Sequence, residues 1–258
     1  VKEYNDYAAE LKKYLNIDTF PVAINFLKSE SDIPANARRP LKDLKTKIAQ
    51  CQAQAMTRKY GWTVALTKDE MGCAIALHTY GFETADADAA VKFFIRMGYA
   101  ADESSGLELI KNFRSLKPDE YKAVLYSPLG KSEMIPDVVL VYLNPAQLMR
   151  CLHGSTRSTG RPVDCSFTGR AASCTEGVIG AFSDRSPKVI VPGNGDRVWA
   201  AVQDHEMAYA LPGSHLKDLV EGLAGTHAKG IRYPIPSFLK YRPETGAGMP
   251  MTDIFKKI

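Results

Sequence analysis

Cys51-Gln-Ala-Gln-Ala-Met-Thr-Arg-Lys-Tyr-Gly61, then Trp62-Thr-Val-Ala-Leu66, then Thr67-Lys-Asp-Glu70 and on through Cys73 to Gly81, is the stretch that decides how this chain is read. Ile48, Cys51, Ala55 and Met56 recur at helical spacing, so Lys45 to Tyr60 reads as a helix with Cys51 on its buried stripe. Gly61 suits the left-handed residue that ends such a helix. Trp62 to Leu66 alternates and is rich in β-formers, which reads as a strand. Thr67-x-x-Glu70 has the form of a capping box, so a second helix is expected from near Lys68 to Gly81, with Cys73 in its second turn. Helix rise and strand return then bring Cys51 and Cys73 to a similar height on one face, through legs of about 14, 17 and 8 Å.

Outward from this unit, the order recurs. Pro21 to Leu27 is a strand before the first copy. Asp137-Val-Val-Leu-Val-Tyr-Leu143, Cys151 to Gly160, Arg161-Pro-Val-Asp-Cys-Ser-Phe167 and Thr168 to Phe182 repeat strand, helix, short strand and helix. Cys51 to Cys73 spans 22 positions and Cys151 to Cys174 spans 23, while Cys165 stands where the first copy has Val64. The expected organisation is one domain over 1–233 with an internal duplication (about 21–82 and 137–182). A Pro-rich tail over 234–258 would wrap the domain or join a second copy into a homo-oligomer.

Elsewhere, Tyr4 to Leu15, Ala85 to Met97, Leu107 to Leu116 and Leu216 to Ala224 read as helices. Ala123 to Tyr126, Val189 to Val191 and Val198 to Val202 read as strands, the last two joined by a tight turn at Gly193-Asn194-Gly195-Asp196. Strands mixed with helices make the fold class α/β or α+β.

The 258 residues are 45% hydrophobic and 24% charged, which excludes a mainly disordered chain. No apolar run reaches the roughly 18 residues of a membrane span. The sequence opens without Met, as a processed or incomplete start would, and Val1-Lys-Glu-Tyr4 carries no signal-peptide core, so a cytoplasmic protein is expected. The net charge of +4 is mild. Arg38, Arg39, Lys42, Lys45 and Lys47 form a local basic cluster, read as a face for an acidic partner or as a solvated approach to a helix. No aromatic interleaving supports nucleic acid there.

Five cysteines without a secretory segment argue against a disulfide framework. Thiolates are soft ligands that suit iron–sulfur clusters or zinc. Cys51, Cys73 and Cys174 are the firmer ligand candidates, with Cys151, Cys165 or a non-cysteine group as the fourth. The alternative is that these thiols simply fill the core. Ser166-Phe-Thr-Gly-Arg-Ala-Ala-Ser-Cys174 suggests a Gly-containing loop opening a helix, with Arg170, and with Arg157 and Arg161 if they converge, as contacts for a small anion. His78, His153, His205, His215 and His227 read as ordinary polar residues, and no zinc-protease or nucleophile-elbow motif is present.

Pro136 to Pro145, Gly169-Arg170 with Cys174, Gly195-Asp196-Arg197 followed by Glu206 and Leu211-Pro212, and the pairs Cys51-Gln52 and Gly72-Cys73 resemble the family called domain of unknown function 169. The resemblance runs from about Tyr7 to Tyr233. That family is widespread in anaerobic archaea and bacteria and has no assigned activity, and its anaerobic character favours iron–sulfur chemistry over zinc. Many members carry a further Cys in the loop occupied here by Gly193 and Asn194, which this sequence lacks. The expectation is therefore an iron–sulfur redox protein with a 4Fe–4S cluster, a small-molecule or protein redox partner and no membrane or nucleic-acid role. The rival expectation is a metal-free ligand-binding or regulatory module.

Overall fold

The structure, a computed structural model, describes residues 1–235 together with the short paired strands Glu244–Thr245 and Met249–Pro250. Most of the expected tail lies outside the described residues. The first helix, α1 (Lys2–Leu15), ends where Asn16 adopts a left-handed conformation and its N–H returns to the Lys12 carbonyl. Strand β1 (Val22–Leu27) follows, then the single-turn α2 (Pro40–Asp43), α3 (Gln50–Tyr60), β2 (Val64–Thr67) and α4 (Ala74–Thr79). The chain continues through α5 (Ala87–Arg96), α6 (Glu103–Lys111), β3 (Ala123–Pro128), β4 (Val138–Leu143) and α7 (Pro145–Thr156). A π-helix (Ala172–Ile179) runs into α8 (Gly180–Asp184), and β5 (Lys188–Ile190), α9 (Asn194–Ala200), β6 (Met207–Pro212) and α10 (Leu216–Ala228) complete the fold.

Six strands form one antiparallel sheet in the order β2-β3-β1-β4-β6-β5. The mixed helix and sheet class is as the sequence suggests, with antiparallel pairing making it α+β. Side chains alternate across the sheet. Ile24, Phe26, Leu66, Tyr126, Leu140 and Tyr142 enter one core. Ala23, Val139, Val141, Leu143, Tyr209 and Leu211 enter the other. Helices cover both faces, which is why Val138-Val-Leu-Val-Tyr-Leu143 is apolar at nearly every position. The first core is roofed by α3, α4, the π-helix and α8, and the second by α1, α7 and α10.

On the second face α7 and α10 cross through two glycines. A Cβ on Gly222 would stand 2.0 Å from the Gly154 carbonyl oxygen, so that helix backbone would have to retreat. Gly222→Ala is expected to lower stability by about 1–3 kcal/mol through overpacking, as read by urea denaturation, against a few tenths for Gly225→Ala if its Arg157 neighbour swings aside.

The sheet order is symmetrical about the central β1–β4 pair. Each half supplies a central strand, an edge strand and then the strand between them. In one half α3 leads into the edge strand and α4 leaves it. In the other, the π-helix and α8 lead in and α9 leaves. This order makes Cys174, not Cys151, the counterpart of Cys51. The sequence pairs Cys51 with Cys151, but the two lie in cores on opposite faces of the sheet.

Several local expectations are corrected. α3 begins at Gln50, not Lys45, because Ile48 pairs as a bridge with Met71. Thr67 and Glu70 do pair, the Thr67 N–H and hydroxyl both donating to Glu70 Oε2 at 3.2 Å. They close a turn, however, and α4 starts only at Ala74 with Cys73 as its N-cap residue. Arg39 explains the delay: its Nε donates to the same Glu70 oxygen at 2.8 Å and ties the turn to the chain before α3. The segment 161–167 forms no strand. Nor is Gly193 to Asp196 a hairpin turn with a strand over 198–202: it opens α9.

Candidate metal centre

Four acidic side chains come from the first turns of four helices roofing the first core. Cys51 is the second residue of α3, Cys73 the N-cap residue of α4, Cys174 the third residue of the π-helix and Asp196 the third residue of α9. Helix starts expose unpaired N–H groups, which favour negative charge. Each side chain is placed for a local reason. Gly193 opens α9, and its N–H donates to Asp196 Oδ2 at 3.0 Å, a reach-back bond that the Gly193-x-x-Asp196 spacing provides. Ala171, in a left-handed conformation, turns the chain into the π-helix, and the Cys174 S–H donates to the Ala171 carbonyl at 3.2 Å. The Cys51 S–H points at the Gly195 carbonyl, 4.0 Å away.

Cys51, Cys174 and Asp196 are buried, and Cys73 is half-buried at the outer side of the group. Burial, then the charge of Asp196 and that of Cys73, push the Cys51 thiol up to about 12. Burial, then Cys73, Asp196 and Cys51, push Cys174 well above its ordinary value. Burial likewise raises the Asp196 carboxyl, against hydrogen bonds from Ser173 and Gly193 that favour its ionised form. Burial therefore favours the protonated thiols of Cys51 and Cys174, and any cation bound by them would have to displace those protons.

A buried polar chain runs beside the thiols. Tyr126 donates to the Tyr80 hydroxyl at 3.0 Å, Tyr80 to Gln50 Oε1 at 3.4 Å, and Gln50 Nε2 to Ser173 Oγ at 3.0 Å. The Ser173 hydroxyl donates to Asp196 Oδ1. Burial, with Cys174 and Cys51 adding their charge, holds the Tyr80 and Tyr126 phenols protonated far above neutrality. The aromatic wall is completed by Phe26, 6.0 Å from Tyr80 and 4.7 Å from Phe182 between ring centres. Among the described residues, no three Cys, His, Asp or Glu side chains stand close enough to share one metal ion.

The other expected residues go elsewhere. Cys151 is fully buried on the opposite face, where burial pushes its thiol up to about 12. Cys165 is half-buried, and its sulfur accepts the Val189 N–H at 3.0 Å beside edge strand β5. Arg170 lies over the Tyr99 ring at 5.5 Å. Arg161 lines a polar cleft with Ser155, Thr156 and His215. Arg157 packs against Gly225 of α10. Each arginine therefore has its own set of neighbours. Sequence reasoning passed over Asp196 as a site residue. One signal was available: Asp196 follows Cys174 by 22 positions, the interval from Cys51 to Cys73.

Among the described residues no helix is long and apolar enough to cross a membrane. No solved structure matches the chain. It is similar to an uncharacterized protein of Methanocaldococcus jannaschii, 23% identical over 225 residues that cover 86% of this chain and 94% of the relative. A family model, DUF169, described as uncharacterised ArCR, matches residues 10–222, and the chain belongs to that family.

Proposed function

We propose that this DUF169 chain is a redox protein that holds a 4Fe–4S cluster through Cys51, Cys73 and Cys174, with Asp196 as the non-cysteine group at the fourth corner. The observation that carries the reading is that three thiols and one carboxyl, from segments far apart in sequence, stand at helix starts over one face of the sheet, near enough for Cys51 and Cys174 to feel the charge of Cys73 and Asp196. Such a cluster supplies one-electron chemistry. The chain's own residues would tune it: Gln50 and Ser173 hold Asp196 in place, Tyr80, Tyr126 and Phe26 keep water from its inner side, and half-buried Cys73 marks the side nearest solvent, from which an electron donor or acceptor would approach. Protein expressed and purified without oxygen is expected to show broad visible absorption that bleaches on reduction. A preparation colourless from the first step, and still colourless after incubation with iron and sulfide, overturns the proposal.

A further inference from the structure

The basic cluster over residues 38–47 supplies no residue to the metal centre. In sequence it stands without aromatic residues, and the fold brings them to it. β2 is an edge strand of the sheet, and the chain from Arg38 to Ile48 lies along its open side. At one end the Arg38 N–H donates to the Thr63 carbonyl at 2.8 Å, and the Ala65 N–H donates to the Arg38 carbonyl at 3.0 Å. At the other end the Gly72 N–H donates to the Ile48 carbonyl at 2.8 Å. This pairing sets the Arg38 guanidinium over the Trp62 ring, 3.9 Å from its centre. The Tyr60 ring stands 5.3 Å from Trp62 and is 64% exposed. Phe20, also exposed, covers Gly61 between them, so that a Cβ on Gly61 would stand 3.1 Å from its ring.

Most of the charge on this edge is unmatched. Arg39 is engaged by Glu70 at 2.8 Å and Glu30 at 3.6 Å. Arg38, Lys42, Lys45 and Lys47 are exposed, and none meets a carboxylate within ion-pair reach among the described residues. The nearest acidic side chain in sequence, Asp43, accepts the Arg39 N–H at 2.7 Å. Cations alone would suit any polyanion. Rings held beside them suit a polyanion whose charges alternate with flat apolar faces, and a guanidinium plane pinned on Trp62 is itself a stacking surface. In a duplex those faces are hidden in the base stack.

We infer that the outer edge of β2 is a docking surface for single-stranded nucleic acid, in which Tyr60 and the Arg38–Trp62 stack take bases and Lys42, Lys45 and Lys47 take phosphates. The four residues of β2 span about 13 Å. With the turn beyond them the strip suits about four nucleotides, the low end of single-strand site sizes. The surface goes beyond the redox reading and is separate from it: none of these residues is a proposed metal ligand, and binding can be read on protein without iron.

The test is fluorescence anisotropy of labelled oligo(dT) and oligo(U), about 12 nucleotides long, with the full chain. Unlabelled oligonucleotide, a duplex of the same length, polyglutamate and phosphatidylglycerol vesicles serve as competitors. Saturable binding of both single strands is expected, with the other three competitors much weaker than unlabelled oligonucleotide. Three lysine–phosphate contacts should lower affinity about 20-fold between about 50 and 200 mM salt. Lys42→Gln with Lys47→Gln should cut that factor to about threefold. Tyr60→Ala should weaken binding about tenfold at every salt concentration, the loss of one stacked base. Absence of saturable binding at about 50 mM salt overturns the inference. So does competition by duplex, polyglutamate or vesicles that equals the single strand, the last two pointing to an acidic protein or a membrane instead. So does a Tyr60→Ala variant, shown folded by circular dichroism, that binds as the wild type does.

Discussion

Glu206→Ala should destabilise the folded protein by about 3–5 kcal/mol, one of the largest single-residue losses open to it. Its partner Arg58 lies on α3 and is fully buried. Its two terminal guanidinium nitrogens, Nη1 and Nη2, donate to the Glu206 carboxylate, at 2.6 and 3.0 Å, and the guanidinium stacks on the Tyr142 ring at 4.0 Å. Alanine at 206 strands that charge in the core. Arg58→Met combined with Glu206→Leu should recover most of the loss, because an apolar pair of similar volume carries no desolvation cost. The pH dependence follows from the carboxylate. Burial alone would raise its pKa, but the Arg58 hydrogen bonds and charge outweigh it and hold Glu206 below its ordinary value. A group depressed on folding stabilises above its unfolded pKa and loses that contribution as pH falls through its folded pKa. The gap between wild type and Glu206→Ala should therefore be full near neutrality and shrink in acid, as read by urea denaturation at several pH values. A loss under about 1 kcal/mol at neutral pH would contradict this account of Arg58.

The pair matters to the site as well. Lys59, next to Arg58, donates to the Ala201 carbonyl at 3.0 Å, just past the end of α9. Arg58 and Lys59 thus clamp α3, which carries Cys51, to the segment that carries Asp196. A weakened clamp should loosen the Cys51–Asp196 neighbourhood before the whole fold opens.

The second large effect separates the cysteines by face. Cys51→Ser, Cys73→Ser and Cys174→Ser should each remove at least half of the iron held per chain, while Cys151→Ala should leave iron content unchanged. Cys151 is shut away beneath α10, across the sheet from the other thiols, so its loss is one of packing, about 1–3 kcal/mol. Asp196→Asn keeps the shape and the Gly193 contact but removes the charge, and should shift the reduction potential while retaining iron. Iron analysis of the variants, with circular dichroism to confirm folding, decides between a shared metal centre and thiols that merely fill space. Equal iron in all four cysteine variants would place the metal elsewhere.

Much of the fold was legible because burial leaves periodic marks. The strand at Val22–Leu27, the unbroken apolar run of Val138–Leu143 and the helices at both ends of the described chain announce themselves. What misled was local chemistry with two meanings. Asn194-Gly195 is a hairpin signal, yet Gly193-x-x-Asp196 is also a helix start, and the tertiary contact of Ser173 with Asp196 favours the helix. Thr67-x-x-Glu70 forms its expected pair, but Arg39, distant in sequence, captures Glu70 and delays α4. The strand at Met207–Pro212 went unread although it sits inside the sheet between β4 and β5. Sequence spacing brought Cys51, Cys73 and Cys174 into one candidate set. The side of the sheet on which a helix packs is not written in its own periodicity, and that is why Cys151 was drawn in with them.

The most direct measurement is the iron and acid-labile sulfide content of full-length protein isolated under strict anaerobic conditions. The account predicts both in comparable amounts, up to about four of each per chain for a fully loaded 4Fe–4S centre. Iron without sulfide, zinc in place of iron, or neither element above trace would contradict it.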